Sequence, residues 1–441
     1  MLTAGVPDPF ATYLTYHAEL SAVLSGIAAG ADPASLNAEA HLDGLAYQRL
    51  RQDVPVETRR TFSTFFTNST LGTRLVAPYR HIIARGATVL DPACGIGDLL
   101  IAAFSVLPRT WSAVQLERHV STHFFGRELI DVLAAIARDR LRLTMNLAVG
   151  SLSSPPATSL PLIQPGDGLD TDVPYTTARL VLLNPPYGRR LLPRSIDWAE
   201  GLTSEAAPFT LQVLDRCQAG TKVAAILPDV LRSGSRSAKW RDQVERVASL
   251  DRIEVVGLFD TWTDVDVFIA HLIVRKSRSA HKPRASAPWY GDTTSDSSNY
   301  ILANVASVSI GDVVPHRHAE QGPDVPYLSV QTTPIGATIT TAPFRKFPGR
   351  LHKAPFVVVR RTSAPTRTGG SRLAPSVIHT NLGAVAVENH LIVLKPIAEN
   401  LESCRRLAAQ LVDPSVTSWL DKRLRTRHLT KQALLELPLP N

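Results

Sequence analysis

The chain has 441 residues, 44% hydrophobic and 20% charged, with a formal net charge of +8; this is ordinary soluble globular material with room for two or three domains and a sizeable core. Three scattered cysteines, Cys94, Cys217 and Cys404, exclude a zinc site or a disulfide framework and suit a reducing compartment. No charged segment followed by an apolar one opens the chain and no apolar run approaches a membrane span, so the protein is expected to be cytoplasmic, with no membrane partner.

Residues 1–60 read as a helical segment, one helix opened by Asp8-Pro9 and another by Asp32-Pro33. They carry no evident chemistry. From Thr61 an aromatic stretch, Phe65-Phe66-Thr67-Asn68, leads into a helix. A strand over Ala87–Leu90 then runs into Asp91-Pro92-Ala93-Cys94-Gly95-Ile96-Gly97-Asp98, and a helix through Leu99, Leu100, Ala103, Phe104 and Leu107 follows. Strand, glycine-bearing turn and helix together make a supersecondary unit that binds phosphates or nucleosides. A second strand ends at Phe124-Phe125-Gly126, ahead of Arg127-Glu128 and a helix. Residues 151–177, rich in Ser, Pro, Gly and Asp, read as a loop containing Gly166-Asp167-Gly168.

The apolar run Leu180–Leu183 is short enough to be a buried parallel strand, and Asn184-Pro185-Pro186-Tyr187 stops it at once. Proline lacks an N–H, so this turn offers carbonyl acceptors with few competing donors. An amide, a bare carbonyl and an aromatic ring form a receptor for a flat base with an exocyclic amino group. Further strands are expected over Val223–Leu227, Val255–Phe259 and Val267–Val274, with a helix around Phe209–Cys217. Strands alternating with helices predict an α/β domain over residues 61–276, a mostly parallel Rossmann-like sheet with helices on both faces.

Gly95 and Gly97 let the backbone pass close to a ligand. The absence of a third glycine in dinucleotide spacing, and Asp98 where a phosphate would need neutrality, favour a ligand without phosphates. A nucleoside sulfonium fits, because carboxylates can meet its positive centre and ribose hydroxyls. Asp91, Glu128 and Asp167 should all reach the same sheet edge; the plainer alternatives are a helix-start glutamate and a turn aspartate.

DPACGIG after a strand, an acid after the next strand and NPPY after the fourth resemble the amino-group DNA methyltransferases, and the motif order is similar to their gamma class. Phe65-Phe66-Thr67 resembles that family's additional cofactor motif. The resemblance implies S-adenosylmethionine as methyl donor and adenine in double-stranded DNA as acceptor. Phe66, Thr67 and the loop with Asp91, Ala93, Cys94, Gly95 and Gly97 would hold the methionine part, Glu128 the ribose, and Asp167 the cofactor's adenine. Asn184 and the Pro185 carbonyl would accept the two hydrogens of the target amino group, with Pro186 shaping the turn and Tyr187 stacking on the base. A base inside a duplex must be flipped out to reach such a pocket. Trp262 is placed like the family's second stacking aromatic, with Phe259 and Phe268 as rivals and a packed loop tryptophan as the plain alternative.

Residues 277–299 read as a linker and 300–441 as an α+β domain. From Arg275 onward the chain holds 22 Lys and Arg against 11 Asp and Glu, compared with 25 against 28 before it. A polyanion would be gripped there, unless the surplus simply keeps the surface solvated. Ile310–Val313, Val325–Leu328, Ala384–Pro396 and the closing Arg427–Pro440 look like a target-recognition domain of type I restriction specificity subunits, with Arg345, Lys346, Arg350, Lys353, Arg360, Arg361, Arg367 and Arg372 as candidate phosphate contacts. The expectation is a site-specific adenine methyltransferase of a restriction or phage-defence system. No nuclease cluster is evident, so cleavage would need a separate endonuclease or specificity subunit. The alternatives are an RNA or protein methyltransferase using the same NPPY turn, or a catalytically silent DNA-binding module.

Overall fold

The computed structural model describes residues 10–43, 50, 54–55, 59, 63–149, 163–193, 196–199, 201–259, 265–275, 287–290, 300–363 and 371–440. These divide into two compact units. The first holds residues 1–228, 239–256 and 267–283, and the second holds 229–238, 257–266 and 284–441.

The first unit is built on a seven-stranded sheet. Its strands are β1 (Val89–Asp91), β2 (Phe124–Glu128), β3 (Ile163–Pro165), β4 (Leu180–Leu183), β7 (Lys222–Pro228), β8 (Ala248–Leu258) and β9 (Asp266–Val274), in the order β3-β2-β1-β4-β7-β9-β8. Strands β5 (Arg189–Leu191) and β6 (Leu202–Ser204) form a separate antiparallel pair. β1 runs parallel to β2 and β4, β2 to β3, and β4 to β7, while β9 runs antiparallel to β7. Every residue of β1 and β4 is buried, as the apolar run of β4 and the Val89-Leu90 pair of β1 should be between parallel neighbours. The N-terminal helix Ala11–Ala28 buries Tyr13, Tyr16, Leu20, Val23 and Ile27 in a cluster that also contains Phe66, Ile96 and Leu133. The expected Asp8-Pro9 helix start lies outside the described residues.

In the second unit a five-stranded sheet has the order β10 (Ala306–Ile310), β18 (Leu391–Pro396), β15 (Phe356–Arg360), β16 (Ser376–Ile378) and β12 (Thr338–Ile339), and a four-stranded sheet the order β13 (Phe344–Lys346), β11 (Asp324–Leu328), β17 (Ala384–Val387) and β14 (His352–Lys353). Its central strands, β15 (Phe356–Arg360) and β18 (Leu391–Pro396), show the two-residue period of a strand covered on both faces. Val357, Val359, Ile392 and Leu394 pack with Leu407, Leu411 and Leu420 of the C-terminal helices, whereas Phe356, Val358, Leu391 and Val393 pack with Leu328, Val385 and Val387. Of the cations expected to touch phosphate, Lys346, Arg350 and Lys353 are exposed. Arg372 is a correction: it is buried, pairs with Asp421 and donates to the carbonyls of Leu420, Leu424 and Thr426, so it ties helix ends together instead of meeting a partner. Arg367 lies outside the described residues.

Candidate functional site

β1 and β4 are neighbours, but the chain leaves β1 toward β2 on one side and β4 toward β7 on the other. This reversal is a topological switch point, where the crevice beyond the strand ends accepts ligands in open α/β sheets. Asp91 ends β1, Glu128 ends β2 and Asn184 follows β4, so all three stand at that edge. A cleft opens there. Of the residues singled out from sequence, Phe66, Thr67, Asp91, Ala93, Cys94, Gly95, Glu128, Asp167, Asn184 and Pro186 line it. Gly97, Pro185 and Tyr187 do not, and Trp262 lies outside the described residues. The rivals Phe259 and Phe268 are buried.

The loop after β1 is held by the acids around it. Glu128 accepts the Gly95 N–H at 2.8 Å on one oxygen and the Ile130 N–H at 3.0 Å on the other. Burial raises its pKa, and those backbone bonds oppose the rise. Asp91 accepts the Ala93 N–H at 3.2 Å, and burial pushes it up to about 8, with Glu128 and Asp98 adding to the rise. Burial raises the Cys94 thiol well above its ordinary value, which disfavours the thiolate. Gly97 caps the following helix, Asp98–Ser105, at a left-handed φ of 85° and faces Ala137 closely. A Cβ on Gly168 would meet the Pro92 carbonyl oxygen at 1.7 Å, so the loop carrying Asp167 can lie against the β1 loop only with glycine there. Asp167 itself is exposed, and its carboxylate accepts the Leu169 N–H at 2.9 Å in a local turn.

Asp98 differs from the sequence argument. It accepts the Thr67 N–H at 3.1 Å and pairs with Arg140 at 2.7 Å, while Arg140 also donates to the carbonyls of His41, Leu42 and Ile96. The charge is met internally, so it does not select against phosphate; it fastens Thr67 to the loop after β1. Asn68 caps the helix Ser69–Val76 through the Leu71 N–H at 2.9 Å.

Asn184 is the most informative side chain in the cleft. Its Nδ2 donates to the Phe65 carbonyl at 2.9 Å and to Thr67 Oγ1 at 3.0 Å, which fixes the orientation of the amide. Its Oδ1 is buried and has no partner. A buried acceptor left unmet costs about 1–3 kcal/mol, so such a group marks a place where a donor belongs. Tyr187 donates its hydroxyl to the Ile226 carbonyl at 3.3 Å and stacks on Phe65, with centroids 5.8 Å apart and an interplanar angle of 21°. Phe65, part of the Phe65-Phe66-Thr67 motif, lines the cleft too, as do Leu129, Leu133, Phe209 and Gly168, to which the sequence assigned no role. Phe209 reaches the cleft from a helix whose sequence carries no such signal.

Among solved structures the chain resembles the type IIL restriction-modification enzyme MmeI, solved in complex with DNA, with a TM-score of 0.56 at 14% identity over 89% of this chain and 70% of that one. The chain shares the fold of the matched part of MmeI. The type IIG restriction endonuclease BpuSI matches with a TM-score of 0.48 at 14% identity, over 93% of this chain and 62% of its own. The methyltransferase subunit of a type I restriction-modification system from Streptococcus thermophilus matches with a TM-score of 0.35 at 21% identity, over 54% and 51%. The chain thus spans less than two thirds of BpuSI and about half of the Streptococcus subunit, but 70% of MmeI. No family model and no curated protein matches the chain. No helix among the described residues is long and apolar enough to cross a membrane.

Proposed function

We propose that the cleft binds S-adenosylmethionine and methylates an exocyclic amino group, that of adenine extruded from double-stranded DNA, as the modification half of a restriction or phage-defence system. The observation that carries this reading is the unmet Asn184 Oδ1 at the switch-point edge, beside a cleft lined with acids. The residues present suit the donor. A largely protonated Asp91 can lose its proton to solvent and meet a cation as a carboxylate, and Glu128 keeps lone pairs for ribose hydroxyls while its loop bonds hold it still.

S-adenosylmethionine supplies a methyl group on a sulfonium, and the chain supplies placement. Asn184 Oδ1 accepts one amino hydrogen and the Pro185 carbonyl the other, which draws the nitrogen lone pair out of conjugation with the ring and aims it at the methyl. Tyr187 offers an aromatic face to the base, and Trp262 is the proposed second face. Alignment and preorganised acceptors carry the rate. The exposed Lys346, Arg350 and Lys353 of the second unit suit a polyanion, and we assign that unit to target recognition. The bounds 61–276 for catalysis and 300–441 for recognition are part of this proposal. MmeI, described as a restriction-modification enzyme in complex with DNA, shares the fold and supports the reading. The test offers the purified chain labelled S-adenosylmethionine with plasmid DNA, ribosomal RNA and protein side by side. Label in DNA adenine is expected; label only in RNA or protein would move the substrate class, and none would leave a silent DNA-binding module.

A further inference from the structure

The antiparallel ribbon β5–β6 grows directly out of the NPPY turn. The Gly188 carbonyl accepts the Glu205 N–H at 2.8 Å and the Gly188 N–H donates to Ser63 Oγ at 3.3 Å, which anchors the ribbon to a residue lining the cleft. Above that anchor Arg189 stands opposite Ser204, Arg190 opposite Thr203, and Leu191 opposite Leu202. Directly opposed residues share a face, so Leu191 and Leu202 form one apolar pair. They are 70% and 64% exposed. Arg189 and Arg190 are exposed as well, and the six strand residues carry no acid. A two-stranded ribbon is barely stable alone and gains nothing from an apolar pair facing water. The ribbon begins after a single residue, Gly188, beyond the turn proposed to receive a flipped base, and carries Arg189 on the leucine face and Arg190 on the other; an apolar pair with a cation on each face matches what a disrupted duplex presents: an unstacked gap between bases, bordered by phosphates.

We propose that this ribbon enters the duplex at the target step, the Leu191–Leu202 pair filling the stack that the extruded base leaves and Arg189 and Arg190 gripping the flanking phosphates. Apolar side chains stabilise opened base steps in this way, and each phosphate contact adds to the salt dependence of binding. The inference rests on the DNA methyltransferase reading and adds the element that holds the duplex open.

The test compares the full chain with the Leu191→Ser/Leu202→Ser variant on duplexes carrying its site, with the target base either paired or set opposite an abasic position. Pairing opposes extrusion only in the first. The variant is expected to methylate the paired duplex at least about tenfold more slowly and the abasic one within about twofold of the parent, with unchanged affinity for S-adenosylmethionine by calorimetry. Arg189→Gln/Arg190→Gln should reduce the salt slope of duplex binding by about two. Parental rates on the paired duplex, an equal fall on both duplexes, or loss of a self-associated form with methylation unchanged would each overturn the proposal. A parent silent on both duplexes would instead remove the methyltransferase reading, and this inference with it.

Discussion

Asn184 keeps one polar atom for a ligand because its other is spoken for twice, by the Phe65 carbonyl and by Thr67 Oγ1. Thr67→Val removes one of those acceptors and lets the amide turn. We expect kcat to fall about tenfold, the scale of one hydrogen bond, with a smaller change in cofactor affinity and with Thr67→Ser restoring the rate; single-turnover kinetics beside calorimetry would separate the two. Asp91 makes a pH prediction. Below about 8 it carries a proton in the free protein. A cationic ligand draws that proton off, so affinity for S-adenosylmethionine should rise between pH 6 and 8, by at most about tenfold per unit, and Asp91→Asn should flatten the rise. Its effect on folding runs the other way. A carboxyl raised in the folded state adds stability that is fully present below its unfolded value and is lost as pH rises through about 8, which thermal unfolding against pH would register. At this scale the sequence put Asp91, Glu128 and Asn184 at strand ends, and the structure has all three at one sheet edge. It could not show that Asp98 is neutralised, because Arg140 lies 42 positions away and only the fold brings it near.

The elements that place the site were legible where local pattern and tertiary role agree. The apolar runs Ala87–Leu90 and Leu180–Leu183, each ended by a turn, supply β1 and β4, both buried strands in the parallel part of the sheet. The helix Ala113–His123 opens on a capping box that Ser112 and Gln115 spell in the sequence and that forms here. β3 is only three residues inside a polar stretch, and what makes it a strand is its register against β2. β5–β6 has no alternating pattern to reveal it, because neither of its faces is buried in a core. Between elements, Gly168 sets the approach of two loops. Gly168→Ala should force the Asp167 loop off the Pro92 carbonyl, costing about 1–3 kcal/mol and weakening cofactor binding. Thermal unfolding with and without S-adenosylmethionine would read both effects.

For the whole molecule, the charge asymmetry along the sequence has a structural counterpart, but not in every cation. Lys346, Arg350 and Lys353 remain exposed, whereas Arg372 is spent on helix ends. Lys346→Gln/Arg350→Gln/Lys353→Gln should weaken duplex binding evenly across sequences and lower the salt slope by about three, while leaving S-adenosylmethionine affinity unchanged. The same counting logic explains why composition could not separate the two roles of arginine: a guanidinium that binds carbonyls and one that binds phosphate are the same residue until the fold is known. The central claim, that an amide with one unmet oxygen presents an amino group to a methyl donor, is tested most directly by methyl transfer to DNA from labelled S-adenosylmethionine, comparing the parent with Asn184→Ala at matched cofactor occupancy. The parent should label the adenine amino group and the variant should do so at least about a hundredfold more slowly, the scale seen when a preorganised catalytic hydrogen bond is removed. A variant that labels DNA at the parental rate would contradict it.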